Sequence, residues 1–339
     1  MLSIDSAEVI HGMFKMEGIT DSTSMASLYM DDESIMPFVI EKGKISISID
    51  NARIVVTGTP LNDRLYDFVG KKTSLDDRAY ELERQESRMI MDGKAPDEIQ
   101  REITREREKL AAEMNALAKE FIQKNYDNVL GPGEFIPLAE YLGLITSIGD
   151  YVLEEACRRC KLWNDNGHPD FYINVNLSVV QLLQKDVVEN IKRILDKTGV
   201  NPKNIVLEIT ESFAINDMQR VMDIITGLKK LGPRIALDDF GTGYSSLNYI
   251  KQLPLDIIKV DKTFIDDIVE DDYAQAFIKL IVDLSKTIGT KIVVEGVEHK
   301  EQFELLKSLG VDYIQGYYFG KPVPANIFEE KNLEGRLGE

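Results

Sequence analysis

The chain is poor in the residues that build soft-metal and redox sites: its 339 residues include two cysteines, three histidines and one tryptophan. Cys157 and Cys160 stand alone as Cys157-Arg158-Arg159-Cys160 within a helical pattern, with no second pair or suitably spaced histidine to complete a zinc site. They read as ordinary helix residues. No apolar run approaches the length of a bilayer span, and Met1-Leu2-Ser3-Ile4-Asp5 lacks the charged and then apolar start of a secretion signal. The expectation is a cytoplasmic chain without a membrane span. Basic residues are also scarce, 40 Lys and Arg against 58 Asp and Glu, for a formal net charge of −18. That balance opposes binding to duplex nucleic acid, which needs clustered Lys and Arg to displace counterions. A small anionic ligand remains compatible where divalent cations screen the carboxylates.

What is present is a repeated pattern. Six times between Phe171 and Gly316, a run of β-branched and aromatic residues ends on a residue suited to metal or phosphate: Asn176, Glu208, the pair Asp238-Asp239, Lys259, Glu295 and Gln315. Most runs precede a helix-like stretch, which predicts an α/β fold with parallel strands, a TIM-like β/α barrel. Such barrels carry their chemistry at the C-terminal ends of the strands. These residues are therefore expected around one acidic pocket.

Three regions are expected. Residues 1–60 read as a small antiparallel β domain, from Phe38-Val39-Ile40-Glu41, Lys44-Ile45-Ser46-Ile47-Ser48-Ile49 and Arg53-Ile54-Val55-Val56. Ile45, Ile47 and Ile49 alternate with polar neighbours, so one face is predicted buried. Residues 61–130 read as a charged helical connector: Pro96-Asp97 offers a helix start, and Ile99, Ile103, Leu110, Met114, Leu117 and Phe121 form a narrow apolar stripe. The charged remainder reads as a solvated face. The turn-rich Asn128-Val129-Leu130-Gly131-Pro132-Gly133 is the expected boundary, and residues 131–330 read as the barrel.

Carboxylates and amide oxygens are hard ligands, suited to Mg²⁺ or Mn²⁺. Asn176, Glu208, Asp238, Asp239 and Glu295 are the candidate metal ligands. Two such cations can activate water and stabilise a phosphodiester under in-line attack, so phosphate-ester hydrolysis is the expected chemistry. Lys259 would orient water or phosphate, or else neutralise a buried acid pair. Glu298, one turn beyond Glu295, is placed to take a proton from water. Gly241-Thr242-Gly243-Tyr244-Ser245-Ser246 lacks the Gly-Lys-Ser ending of a nucleotide P-loop and reads instead as a loop over the aspartates, with Glu211 accepting its backbone donors. No histidine sits at a matching strand end, and Trp163 is expected in the core.

Taken together, Gly133-Glu134-Phe135-Ile136-Pro137-Leu138-Ala139-Glu140, Val175-Asn176-Leu177-Ser178, Leu207-Glu208-Ile209-Thr210-Glu211-Ser212, Asp238-Asp239-Phe240-Gly241-Thr242-Gly243, Lys259-Val260-Asp261, Glu295-Gly296-Val297-Glu298 and Gln315-Gly316-Tyr317 resemble the EAL-domain phosphodiesterases of cyclic di-GMP. The resemblance runs from about Gly131 to Val323. It implies a β/α barrel that linearises cyclic di-GMP to pGpG with two Mg²⁺ or Mn²⁺ ions. Asn176, Glu208, Asp238, Asp239 and Glu295 would be metal ligands, Lys259 and Glu298 water-activating groups, Gln315 a pocket residue and Glu211 the loop anchor. It also implies a homodimer through the barrel.

One departure stands against these matches. The family's first two strands, with the metal-binding glutamate of the Glu-Ala-Leu signature and a nearby phosphate-holding arginine, have no counterpart here. The equivalent position falls at Asn115-Ala116-Leu117-Ala118-Lys119, inside the helical stripe. Six strands of eight are therefore expected here, the first two being supplied by the N-terminal segment, by another chain or not at all, and the open edges of an incomplete barrel would invite association. The alternative function is a degenerate barrel that senses cyclic di-GMP or contacts a protein. Ile4-Asp5-Ser6-Ala7-Glu8-Val9, Pro37-Phe38-Val39-Ile40-Glu41-Lys42-Gly43 and Val56-Thr57-Gly58-Thr59-Pro60-Leu61-Asn62-Asp63 resemble an uncharacterised β-sandwich family that precedes thioredoxin-like modules in exported bacterial proteins. The two partial resemblances point to a fusion of incomplete modules.

Overall fold

A computed structural model describes residues 6–19, 24–29, 35–49, 54–126, 136, 139–140, 143–211, 218–241 and 252–333. The expected boundary at residues 128–133 and the loop residues 242–246 lie outside that set. The chain forms two compact units, Met1–Ile148 and Gly149–Glu339.

In the first unit, β1 (Ser24–Tyr29) pairs antiparallel with β2 (Ile35–Ile40), and β3 (Ser46–Ile49) pairs antiparallel with β4 (Ile54–Thr57). Among the described residues each strand pairs only within its own hairpin. The expected buried face of β3 is correspondingly weak: Ile45 and Ile47 are half-buried and Ile49 is exposed. A two-stranded sheet gives each side chain one lateral neighbour and little to bury against.

Helix formation then dominates the unit. α1 (Pro60–Met91) has proline in its first turn, where the missing N–H costs nothing. Glu41 Oε1 accepts the otherwise unpaired Leu61 and Asn62 N–H groups at 2.8 and 3.2 Å. Asn62 is fully buried and exchanges both its amide groups with the main chain of Val39, Nδ2 to O at 2.8 Å and N to Oδ1 at 2.9 Å. α2 (Pro96–Tyr126) starts at the expected proline. Its apolar stripe is consumed inside the unit: Leu117 and Ala118 bury with Leu65, Phe68 and Leu75 of α1, and Ile99 and Ile103 bury with Met89. Position 115–119 is thus helical, with Leu117 and Ala118 in this core.

The second unit is built on a parallel sheet: β5 (Ile173–Asn176), β6 (Ile205–Thr210), β7 (Arg234–Phe240), β8 (Ile257–Val260), β9 (Lys291–Val294) and β10 (Tyr313–Ile314). The six strands pair in sequence order, all parallel, so among the described residues the sheet is an open part of a β/α barrel with β5 and β10 at its edges. Every residue of β8, and all of β6 except Thr210, is buried, as strands covered on both faces require. α3 (Ile145–Asp165) precedes β5, and α4 (Val187–Thr198), α5 (Met218–Leu231), α6 (Asp272–Ile288) and α7 (Lys300–Leu309) fall between strands. α8 (Ala325–Asn332) follows β10. Trp163 is half-buried rather than core: its Nε1 donates to Glu329 Oε1 at 2.8 Å and its ring meets Phe328, fastening α8 to α3. No helix among the described residues is long and apolar enough to cross a membrane.

Cys157 and Cys160 are both fully buried in α3 and unpaired. Burial, and then the neighbouring Cys160, push the Cys157 thiol up to about 12, and burial also raises Cys160. A thiolate is the reactive species, so a raised, buried thiol is inert. Titration with a chromogenic disulfide at pH 8 should therefore detect neither cysteine in the folded chain and both in denaturant; prompt reaction of the folded chain would contradict this packing.

Candidate acidic site at the strand ends

The parallel register decides which residues meet. Asn176, the last residue of β5, pairs with Glu208 of β6, and Thr210 pairs with Asp238 of β7. Between β7 and β8 the register slips by one: Leu237 pairs with Ile258, but the next pair is Phe240 with Val260. The extra residue lies in the Asp238-Asp239 step, and Asp239 adopts φ +55°, a left-handed conformation unusual for a side-chain-bearing residue. A bulge of this kind re-aims side chains at the end of a strand.

Gly241 closes the turn after the bulge. It has φ +98°, and a Cβ there would sit 2.7 Å from the Phe264 ring, so neither conformation nor space admits a side chain. Its N–H donates to Glu211 Oε2 at 2.9 Å. Gly296 follows Glu295 with φ +74°, and its Cβ would fall 2.3 Å from Lys262 Cβ.

Lys259 of β8 is the centre of the site. Its Nζ lies 2.7 Å from Glu208 Oε1, 2.8 Å from Asp238 Oδ1 and 2.6 Å from Glu295 Oε1. Its side chain is 4% exposed, so these are desolvated charges rather than surface pairs. The sequence allowed a lysine neutralising an acid pair; it serves three carboxylates.

Burial by itself favours the neutral amine, but the Glu208 and Asp238 carboxylates outweigh it and hold the Lys259 ammonium above its ordinary range. A carboxylate beside a lysine is usually held low. Here burial raises both Glu208 and Glu295 despite Lys259, and it raises Asp239 with the help of Asp238. The directions are consistent, because one positive charge cannot offset the desolvation of three negative ones. Glu295 Oε1 is buried and lies 2.6 Å from Lys259 Nζ, the cation it shares with Glu208 and Asp238.

Asn174, absent from the residues the sequence pattern singles out, joins this cluster: its Nδ2 donates to Glu208 Oε1 at 2.7 Å. Its spacing from Asn176 was the available signal, since residues two apart on a strand share a face. Asn176 itself is exposed on that face. Glu298 and Gln315 are also exposed at the same strand ends. The Glu298 N–H donates to Gln302 Oε1 at 2.9 Å at the start of α7, and the main chain of Gln315 bonds to Val294 O and Val297 N at 2.9 and 3.1 Å. The structure thus gathers Glu208, Asp238, Lys259 and Glu295, sets Asp239 beside them, and leaves Asn176, Glu298 and Gln315 at the exposed rim.

The donor set fits a hard divalent cation: carboxylate oxygens from Glu208, Asp238 and Glu295 in excess of the one positive charge of Lys259. As the side chains stand, the carboxylates converge on Lys259, and among the described residues no three Asp, Glu, His or Cys form a ready metal cage.

Residues 116–322 match the EAL domain family. The chain belongs to that family. The match starts within α2, earlier than the Gly131 suggested by the motifs. Residues 2–65 match a domain of unknown function, DUF4369. Among curated relatives, the bifunctional diguanylate cyclase/cyclic di-GMP phosphodiesterase MucR of Pseudomonas aeruginosa is 44% identical over 197 residues, 58% of this chain and 29% of that protein. The cyclic di-GMP phosphodiesterase NbdA of the same organism is 35% identical over 202 residues, 60% of this chain and 26% of that protein. The chain spans 25–29% of the length of the first two curated relatives it matches. Among solved structures, the PaMucR phosphodiesterase in complex with c-di-GMP superimposes with a TM-score of 0.57 at 43% identity, covering 59% of this chain and 81% of that one. The EAL domain of Mycobacterium smegmatis DcpA gives a TM-score of 0.53 at 31% identity, covering 56% and 85%.

Two outcomes follow from the charge imbalance. Lys259→Met leaves the buried Glu208 and Asp238 and the half-buried Glu295 without their shared cation and should cost about 3–5 kcal/mol in chelator, with part of the loss restored by Mn²⁺; a melt unchanged in chelator would show that the cluster is not desolvated. In chelator, the folded chain keeps protons on Glu208 and Glu295 above roughly pH 4.3 that the unfolded chain has released. Their contribution to stability is therefore lost as pH rises from that value through the raised folded pKa values. Melting temperature should fall less steeply over pH 4–8 in Glu208→Gln than in the unaltered chain, and equal slopes would contradict the assignment.

Proposed function

We propose that the EAL unit, residues 131–330, is a metal-dependent phosphodiesterase that hydrolyses cyclic di-GMP to pGpG. The observation that carries this reading is the excess of buried carboxylate over positive charge around Lys259. Its support includes relatives named as cyclic di-GMP phosphodiesterases. Mg²⁺ or Mn²⁺ would be held by Glu208, Asp238, Asp239, Glu295 and Asn176; when bound, such cations acidify water and neutralise charge developing on a phosphate. Lys259 then shares its charge with the incoming phosphodiester. Glu298, solvated at the rim, accepts the proton of the attacking water. Glu211 holds the turn after Asp239 through Gly241 N–H, and Gln315 borders the pocket. The unit would work in the cytoplasm as a homodimer through the barrel, on a small ligand rather than a duplex.

A second reading has an observation of its own. Residues 115–119 are in α2, and six parallel strands are described, so no residue at the signature position supplies a carboxylate from a strand end. A site short of one ligand can retain cyclic di-GMP without turning it over.

Incubation of the full chain with cyclic di-GMP and Mn²⁺, followed by chromatography, should yield pGpG. Chelator should abolish the product, and Glu298→Ala should lower kcat by about 10²–10⁴-fold, the range for loss of a general base. Intact cyclic di-GMP together with calorimetric binding would replace the enzyme by the sensor.

A further inference from the structure

We infer that Asn174 is a positioning residue of the acidic pocket, whose amide fixes the orientation in which Glu208 is presented to a divalent cation. The inference rests on the metal-dependent reading above and names the device that prepares one of its ligands.

Asn174 donates a hydrogen bond to Glu208, Nδ2 to Oε1 at 2.7 Å. Lys259 Nζ also reaches Oε1, at 2.7 Å, but its three N–H groups are shared with Asp238 Oδ1 and Glu295 Oε1. An ammonium attracts a carboxylate from any angle, whereas an amide N–H demands alignment. Lys259 therefore holds the charge of Glu208 in the pocket, and Asn174 decides which oxygen faces it. With Oε1 occupied by both, Oε2 is the oxygen left to a cation.

A neutral donor suits this task. A second lysine or an arginine at 174 would orient Glu208 equally well, but it would add positive charge and compete with the cation for the same carboxylates. The register supplies the geometry. Asn174 pairs with Val206 and Asn176 with Glu208, so the two asparagines stand on one face, one pleat apart, and the lower one reaches back to the glutamate. Asn174 itself is exposed on the β5 edge strand, so its replacement removes the donor without opening a cavity. Without that donor Glu208 is free to turn both oxygens toward Lys259.

Mn²⁺ binding to the full chain, read from the electron paramagnetic resonance of the free ion, separates this role from a structural one. Asn174→Ala should weaken Mn²⁺ binding by about 10–100-fold, the range for loss of an outer-shell partner, while its melting temperature in chelator stays that of the unaltered chain. In a Glu208→Gln background the same substitution should have no further effect. Asn174→Ser, read in the same way, serves if the alanine variant fails to fold. Equal Mn²⁺ affinity with and without Asn174 overturns the inference and leaves the metal-dependent reading intact. A full loss that persists in Glu208→Gln also overturns it, since Asn174 would then act elsewhere. An unaltered chain that binds no Mn²⁺ overturns both.

Discussion

The second unit depends on one ammonium. Lys259 sits at the end of a wholly buried strand, with carboxylates from β6, β7 and the end of β9 within 2.8 Å of its Nζ. Removing charged groups from water is costly unless they are paired, and this pairing spans four neighbouring strands. The contact therefore ties the middle of the sheet together at the end where parallel β/α folds place their chemistry. It also leaves the pocket with more negative than positive charge.

The surrounding backbone serves that arrangement. The one-residue slip between β7 and β8 puts Asp239 in a left-handed conformation and permits two adjacent aspartates beside one pocket, which regular alternation would send to opposite faces. Glu211 then secures the turn by accepting Gly241 N–H, and Gly241 fits under Phe264 only because it lacks a side chain. On β5, where no slip occurs, alternation places Asn174 and Asn176 together. Bulge and alternation are two routes to the same end, polar groups gathered on one rim. In the first unit the physics differs, because two small hairpins bury little and the long α1–α2 pair supplies most of the core. The buried Asn62, bonded to both main-chain groups of Val39, joins β2 to the start of α1.

Much of this was legible from residue pattern. Runs such as Ile205-Val206-Leu207 and Ile257-Ile258-Lys259-Val260 are too apolar and β-branched to be anything but buried strands, and their order implied parallel pairing. The stripe from Ile99 to Leu117 marked α2 correctly, because period is a property of local sequence. What covers the stripe was not legible. The answer, α1, depends on a turn at residues 92–95 that folds one helix back on the other. The half-covered face of β3 was misjudged for the same reason: alternation reports which side chains share a face, and the partner strands decide whether that face is dry.

By itself, the sequence determined the alternation of strands and helices, the six strand ends that carry polar groups, the helical state of residues 115–119 and the placement of two isolated cysteines within a helix. Those follow from local periodicity and composition, which act within a few residues. Only the tertiary structure decided that Glu208, Asp238 and Glu295 meet on a single lysine, and that Asn174 reaches Glu208 while Asn176 stays at the rim. Those are matters of register, bulge and side-chain direction. They are set by hydrogen bonding between strands far apart in the chain, and no window of local sequence contains them.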